Sequence, residues 1–336
     1  MLSRELRLET LYLELTNRCN ISCPSCPRTC FFSTKAPRDL SLDTVRTILD
    51  QIPRGIRIVE HGLGEPLLNP QVVGITALCK TYDHRVIFNS NVTLLDRAMA
   101  EGLVKAGLDE LRISVETPDA DSYHNVRPGS DFDLVMNNVQ SAIEVKRRLH
   151  SDTPRLSFWM TAARSRLVLL PELLRLAARV GVPEVYLQRL VTFGRGTAVG
   201  GESIFGKRDG GWAKILCESE KLSRELGVRL WSSGDTKPTG AHLPLPRRPW
   251  SQCYRPFRNA YIQADGNFLP CCITPFSMGP MREQLGPNLE KLFLGNIFSQ
   301  SFAEVWRGRR YEAFRNAFDS DNPWPCCSRC GTDWSL

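Results

Sequence analysis

The chain has 336 residues, 42% hydrophobic and 24% charged, enough for one large α/β domain with an appendage or for two domains. A net charge of +7 is a modest excess for this length, and no RNA-binding motif accompanies the basic stretches "RRLH", "RRPW" and "RGRRYEAFR", which argues against a nucleic-acid binder. No apolar run is long enough to span a bilayer and "MLSRELRLETLYLEL" lacks the core of a secretory signal, so the cytoplasm is the expected compartment.

In chain order, "TLYLEL" (10–15) predicts a strand and "SLDTVRTILDQI" a helix capped by Ser41. The strand "IRIVEHG" follows, then a helix over about 70–82, the strand "RVIFNSN" and a helix over about 94–106. Next come the strand "ELRISVE", a helix over "DFDLVMNNVQSAIEVKRRL", the strand "RLSFWMT", a helix over "LPELLRLAARVG" and the strand "EVYLQRL". Six strands alternating with helices predict a parallel sheet with helices outside it, and six strands fall short of a closed eight-stranded barrel. Beyond Leu190 a glycine-rich loop leads to a helix over about 211–227, the strand "VRLW" and the proline-rich linker "SSGDTKPTGAHLPLPRRPWSQ". "AYIQADGNFLPCC" predicts a hairpin turning at Asp265-Gly266, and a helix is expected over about 299–318.

Twelve cysteines are many for a reducing compartment, where clustered thiols hold metal more often than they form disulfides. Cys19, Cys23, Cys26 and Cys30 follow the first strand, while Cys253, Cys271, Cys272, Cys326, Cys327 and Cys330 form a second group. Only Cys79 and Cys217 stand alone. The first group permits a four-thiolate zinc or ferredoxin-like site, or a three-thiolate 4Fe–4S cluster with one iron open to a small ligand. In the second, separated pairs suit a zinc ribbon and an iron–sulfur cluster equally.

"LELTNRCN", the C-x3-C-x2-C that continues it, "HGLGEPLLNP", "NSN", "RISVET" and "HNVRPG" resemble the radical SAM superfamily over roughly residues 8–192. The resemblance implies a partial (β/α)6 barrel, assigned here to residues 1–232. In it Cys19, Cys23 and Cys26 hold a 4Fe–4S cluster whose open iron binds S-adenosylmethionine (SAM), and Cys30 stays unliganded. Gly62, Gly64 and Glu65 then match the motif that meets the SAM amino group. Asn91 belongs to the motif after the third strand, Ser114 matches a methionine- or ribose-contacting position, and Arg127 matches the arginine that pairs with the SAM carboxylate. Leu187 lies on the strand whose backbone meets the adenine. The chain departs from the family pattern at Ser25 and in reading Gly-Leu-Gly-Glu-Pro rather than Gly-Gly-Glu-Pro.

Residues 233–336 resemble, after the linker, the auxiliary-cluster module of SPASM and twitch enzymes. The shorter twitch form implies one further 4Fe–4S cluster on Cys253, Cys271, Cys327 and Cys330, with Cys272 and Cys326 as the competing neighbours. The similarity to twitch enzymes acting on aminocyclitols and sugars implies oxidation of a secondary alcohol to a ketone, the second cluster taking one electron and a flavodoxin- or ferredoxin-type donor supplying the first. An epimerase would need a thiol in the barrel to return hydrogen. The sixth strand and its exit contain none, and Cys79 and Cys217 fall on helices, so dehydrogenation leads. Arg189, Gln188, Glu116 and Glu14 are expected at strand ends facing the cavity, Glu116 or Glu14 as base or amino-group partner. His61 and His124 flank the cofactor motifs and are read as structural. A peptide-modifying enzyme is the competing class, disfavoured because the barrel begins within about ten residues of Met1.

Overall fold

Alternation along the first strand sets the layers: Leu11, Leu13 and Leu15 are buried in the core beneath the helices, while Thr10, Tyr12 and Glu14 take the opposite face. The computed structural model describes residues 5–32, 36–204, 210–233, 237–240, 250, 253–328 and 330. Its strands are β1 (Thr10–Leu13), β2 (Arg57–Glu60), β3 (Arg85–Ser90), β4 (Glu110–Ser114), β5 (Arg155–Ala162), β6 (Glu184–Arg189), β7 (Arg229–Ser232), β8 (Asn259–Ile262), β9 (Asn267–Leu269) and β10 (Gly295–Asn296). They form one sheet in the order β10-β9-β8-β1-β2-β3-β4-β5-β6-β7, parallel from β8 through β7 and antiparallel for the last two pairs at the β10 edge.

The six expected βα units are therefore present, and the sheet is extended on both sides. β7 is the predicted "VRLW" strand, joined to β6 with Tyr186 opposite Trp231. On the other side the C-terminal hairpin adds β8 to β1, with Tyr12 opposite Tyr261. The hairpin turns where expected: Gly266 has φ +81°, and its N–H donates to the Gln263 carbonyl at 2.8 Å. The proline-rich linker over 232–252 lies mostly outside the described residues.

The helices are α1 (Pro27–Phe31), α2 (Leu42–Leu49), α3 (Val72–Thr81), α4 (Arg97–Ala106), α5 (Ala120–Val126), α6 (Phe132–Arg148), α7 (Leu170–Val180), α8 (Gly210–Glu225), α9 (Arg255–Arg258), α10 (Thr274–Leu285), α11 (Phe302–Trp306), α12 (Arg309–Asn316) and α13 (Pro325–Ser328). Caps explain several starts: Ser41, Asp96 and Asp131 accept from the backbone of Thr44, Met99 and Leu134. The single helix expected over 299–318 is broken into α11 and α12 at Arg307-Gly308. The buried Arg315 of α12 donates to the Trp306 carbonyl at 2.7 Å, satisfying a group that α11 leaves unpaired where it stops. One arginine of the basic stretch "RGRRYEAFR" is thus structural. Among the described residues no helix is long and apolar enough to cross a membrane.

Beneath the sheet, Glu60 is fully buried against α3, with Oε2 3.4 Å from Thr76 Oγ1 and Oε1 without a partner. Burial pushes its carboxyl up to about 8. The sign follows: the folded state holds this proton more tightly than the unfolded chain, so stability is lost as pH rises from about 4.5 towards 8. Glu60→Gln is expected to stabilise the protein by about 3 kcal/mol at pH 7 and by little at pH 4.5. Denaturant unfolding at the two pH values checks it, and an equal effect at both would reject the assignment.

Candidate active site

The ends of six strands, β1 to β6, or the loops that follow them line one cavity of about 190 Å³ at the C-terminal edge of the sheet. The loop after β1 brings Cys19, Cys23 and Cys26 to its wall, and Cys26 is the residue before α1. Burial pushes all three thiols up, Cys23 to about 12. Such thiols keep their protons until a metal displaces them. Cys30, one turn further on, instead points its sulfur at the Pro24 carbonyl, 3.6 Å away.

The glycine motif packs directly on this loop. A Cβ at Gly64 would lie 2.0 Å from the Thr16 carbonyl oxygen, so no side chain fits. At Gly62 the obstacle is the Glu14 side chain, at 2.3 Å. Both positions thus need glycine for packing against the chain after β1, beyond any approach to a ligand. Glu65 is buried and fastens the turn to the end of β3: its carboxylate accepts from Leu67 N, Ser90 Oγ and Asn91 N at 3.2, 2.7 and 2.8 Å. Asn91 reaches back to Asn20 Oδ1 at 3.0 Å, tying the third strand to the cysteine loop. Ser114 lines the same cavity.

Two expectations need correction. Arg127 and Glu116 were assigned to different partners, but they hold each other: Nε and Nη2 of Arg127 donate to the two carboxylate oxygens at 2.6 and 2.8 Å. Burial opposes the Arg127 charge, but Glu116 and then the Cys23 sulfur outweigh it and keep the guanidinium protonated. With both oxygens engaged by a cation, Glu116 is poorly placed to take a proton. Glu14 is absent from the wall of this cavity. It lies beneath the glycine turn, accepting from Leu63 N at 2.8 Å and from Ala264 N at 3.2 Å, and so joins the barrel to the β8–β9 hairpin. The Leu187 side chain is buried in the helix-facing core and its carbonyl accepts from Ser233 N at 3.3 Å, while the neighbouring Gln188 side chain lines the cavity.

Arg189 does face the cavity, and also a second one of about 200 Å³ deeper in the barrel. Both share His61, Asn89, Trp159, Gln188, Arg189, Val191 and Phe276, so they form one chamber in two parts. His61 stacks on Phe276 of α10 at 5.6 Å. Burial, reinforced by the Arg112 charge, lowers its imidazole to about 4, so it stays neutral and keeps a free lone pair at physiological pH.

The second cysteine group gathers behind this chamber. Cys253 precedes α9, Cys271 follows the hairpin, and α13 and its exit carry Cys327 and Cys330, the Cys330 N–H donating to the Cys327 carbonyl at 3.0 Å. Burial raises the Cys330 thiol, and so do Cys253 and Cys271 nearby; Cys327 is raised by Cys326, by burial, and by Cys271. Cys326 lies 3.9 Å from Cys327, sulfur to sulfur. Arg255 is buried beside Cys272, Cys253 and Cys271. Cys272 lies with this group and also borders the chamber. It lies close to the Tyr12 hydroxyl and lines the deeper chamber. The barrel is therefore not free of thiols, which period and spacing alone did not show. Among the described residues no three cysteine, histidine or acidic side chains close on a single metal ion. The donor sets, three thiols on one loop and four thiols from three segments, fit iron–sulfur clusters.

Comparison with known proteins agrees. Residues 13–153 match the radical SAM superfamily and residues 253–331 match the SPASM iron–sulfur cluster-binding domain. The chain is 24% identical over 334 residues to an AdoMet-dependent heme synthase of Methanosarcina barkeri, covering 94% of this chain and 86% of that one. To the PqqA peptide cyclase of Gluconobacter oxydans it is 23% identical, covering 97% and 84% of the two chains. Among solved structures, Streptococcus suis SuiB bound to S-adenosylmethionine superposes with a TM-score of 0.65 at 16% identity, covering 93% of this chain and 68% of that one. These matches assign a SAM-binding 4Fe–4S cluster to the barrel and auxiliary iron–sulfur binding to the C-terminal module. The chain carries a radical SAM domain over residues 13–153 and a C-terminal SPASM domain over residues 253–331.

Proposed function

We propose that the protein oxidises a secondary alcohol of a small sugar- or aminocyclitol-type substrate to a ketone, using a single auxiliary 4Fe–4S cluster on Cys253, Cys271, Cys327 and Cys330. The observation that supports the reading is that Cys330 lies near Cys253 and Cys271, and Cys327 near Cys271, while their neighbours Cys272 and Arg255 line the chamber that joins the one Cys19, Cys23 and Cys26 open onto. When bound, SAM and the clusters supply a hydrogen-abstracting 5′-deoxyadenosyl radical and a one-electron acceptor, so that the carbinol loses a hydrogen atom, a proton and an electron while SAM ends as methionine and 5′-deoxyadenosine.

The chain's own residues divide the remaining work. The Arg127–Glu116 pair holds a fixed positive group beside Cys23, where a SAM carboxylate would be received. Trp159, Phe276 and Tyr186 wall the chamber and exclude water from a reactive radical. His61, the neutral group that lines both parts of the chamber, accepts a hydrogen bond from the substrate hydroxyl, and the proton released on oxidation passes to solvent. Arg189 is a cation and orients oxygen atoms rather than accepting a proton.

One observation favours a second reading. Cys272 presents a thiol to the chamber, and a thiol there can return a hydrogen atom to the opposite face of a carbon radical, which makes the enzyme an epimerase. Turnover in deuterium oxide separates the two. The expected product is two mass units lighter than substrate, with one 5′-deoxyadenosine formed per turnover. An isomer carrying one carbon-bound deuterium, and losing it in Cys272→Ala, would overturn dehydrogenation in favour of epimerisation.

A further inference from the structure

The deeper part of the chamber is lined by Arg57, Arg112, Arg189 and Arg255 and, among the described residues, by no aspartate or glutamate. The strand register explains how so many cations meet. Arg57 faces inward two residues before Val59 on β2, Arg112 is central on β4, and Arg189 and Arg255 enter from the end of β6 and from α9. Burial and the charge of Arg255 both lower Arg189 from its ordinary value, so the two guanidinium groups feel each other across the space.

The carboxylates nearby do not cancel this charge. Glu110, on the barrel floor, is shared among Arg85, Arg112 and Arg155 at 3.1, 2.7 and 2.8 Å. Glu184 is shared between Arg155 and Arg229 at 2.8 and 2.7 Å. The floor thus has two carboxylates for four arginines, and Arg112 lies where that excess meets the chamber, its guanidinium 4.3 Å from the Trp159 ring. None of the four thiols assigned to the auxiliary cluster lines this space.

We infer that the substrate carries an anionic group, a phosphate or a carboxylate, held in the deeper chamber by Arg57, Arg112 and Arg189. Guanidinium groups match both anions with paired N–H donors, and aromatic walls strengthen the attraction by excluding water. An ammonium-bearing aminocyclitol meets like charge at the same place. The inference rests on the chamber being the substrate site and narrows its substrate class to the acidic or phosphorylated sugars.

The test measures binding, not turnover. The anaerobically reconstituted holoenzyme, saturated with SAM, is titrated calorimetrically with glucose 6-phosphate, glucuronate, glucose and glucosamine, which share a ring and differ in charge. At least one of the two anions is expected to bind tenfold or more tighter than glucose, glucosamine most weakly, and whichever anion leads identifies phosphate or carboxylate as the group. Arg57→Gln, at an exposed position, and Arg112→Gln are each expected to erase most of that advantage without changing the affinity for glucose. SAM affinity and iron content confirm that each variant is folded. Equal affinities, no measurable binding of any probe, or a preference for glucosamine overturns the inference. An anion preference joined to an epimerised product would leave this inference standing and remove the dehydrogenase reading, so the two failures are distinguishable.

Discussion

Replacing Cys19, Cys23 and Cys26 together by alanine is expected to abolish SAM cleavage entirely and to leave about four irons per chain. The three thiols lie on one short loop whose backbone is set independently of the second group: Cys26 N donates to the Cys23 carbonyl at 3.0 Å, and Arg28 Nε to the Asn17 carbonyl at 3.2 Å. Removing three sulfurs from that loop takes away the barrel cluster and leaves α9, the hairpin and α13 to hold theirs. Iron and zinc counts on the purified variant decide the matter. About eight irons would mean that the SPASM module holds two clusters and recruits Cys272 or Cys326. Zinc without iron would reject the auxiliary-cluster assignment.

Arg127→Ala is expected to destabilise the protein by about 3–5 kcal/mol, because it leaves the buried Glu116 carboxylate unpaired. The same change is expected to weaken SAM binding by roughly tenfold or more through the lost charge-assisted contact. The pair is the reason the two effects travel together. Glu116→Gln, which keeps a hydrogen-bond acceptor, should weaken SAM binding less, and the double variant should cost less stability than the sum of the singles, since the partners are in direct contact. Denaturant unfolding and SAM titration of the three variants check this. Additive losses would show that Arg127 and Glu116 act on separate partners, as their motifs suggested when taken apart.

That pair marks where reading the sequence stops. The cysteine triad and the glycine turn were legible because each is a local pattern whose chemistry needs no distant partner. Arg127 and Glu116 belong to two different motifs, eleven residues apart, and only the path of the chain from β4 through α5 turns one onto the other. Alternation along β1 correctly set Glu14 on the inner face. It could not show that the glycine turn and a hairpin from the far end of the chain would cover it. At Cys271-Cys272 the difficulty is a single residue. Both lie in the turn that follows β9, where no strand period applies, and only the path of that turn brings Cys272 to the chamber wall. Of the arginine lining only Arg189 was legible, because the other three come from β2, β4 and α9.

The pairing of β8 with β1 has a consequence for how the molecule is made. Glu9 and Arg258 meet across 249 residues, so the open flank of β1 waits for its neighbour until three quarters of the polypeptide has been synthesised. During that interval an emerging chain carries a complete set of helix-covered units and one unprotected strand, a template for pairing with another nascent copy. The late-arriving hairpin also supplies the backbone N–H that Glu14 needs, so the glycine turn reaches its final support only then. Synthesis of the barrel alone, ending before Asn259, would release from the ribosome a product with a bare edge and an unsupported cofactor turn, one that aggregates rather than a smaller working enzyme.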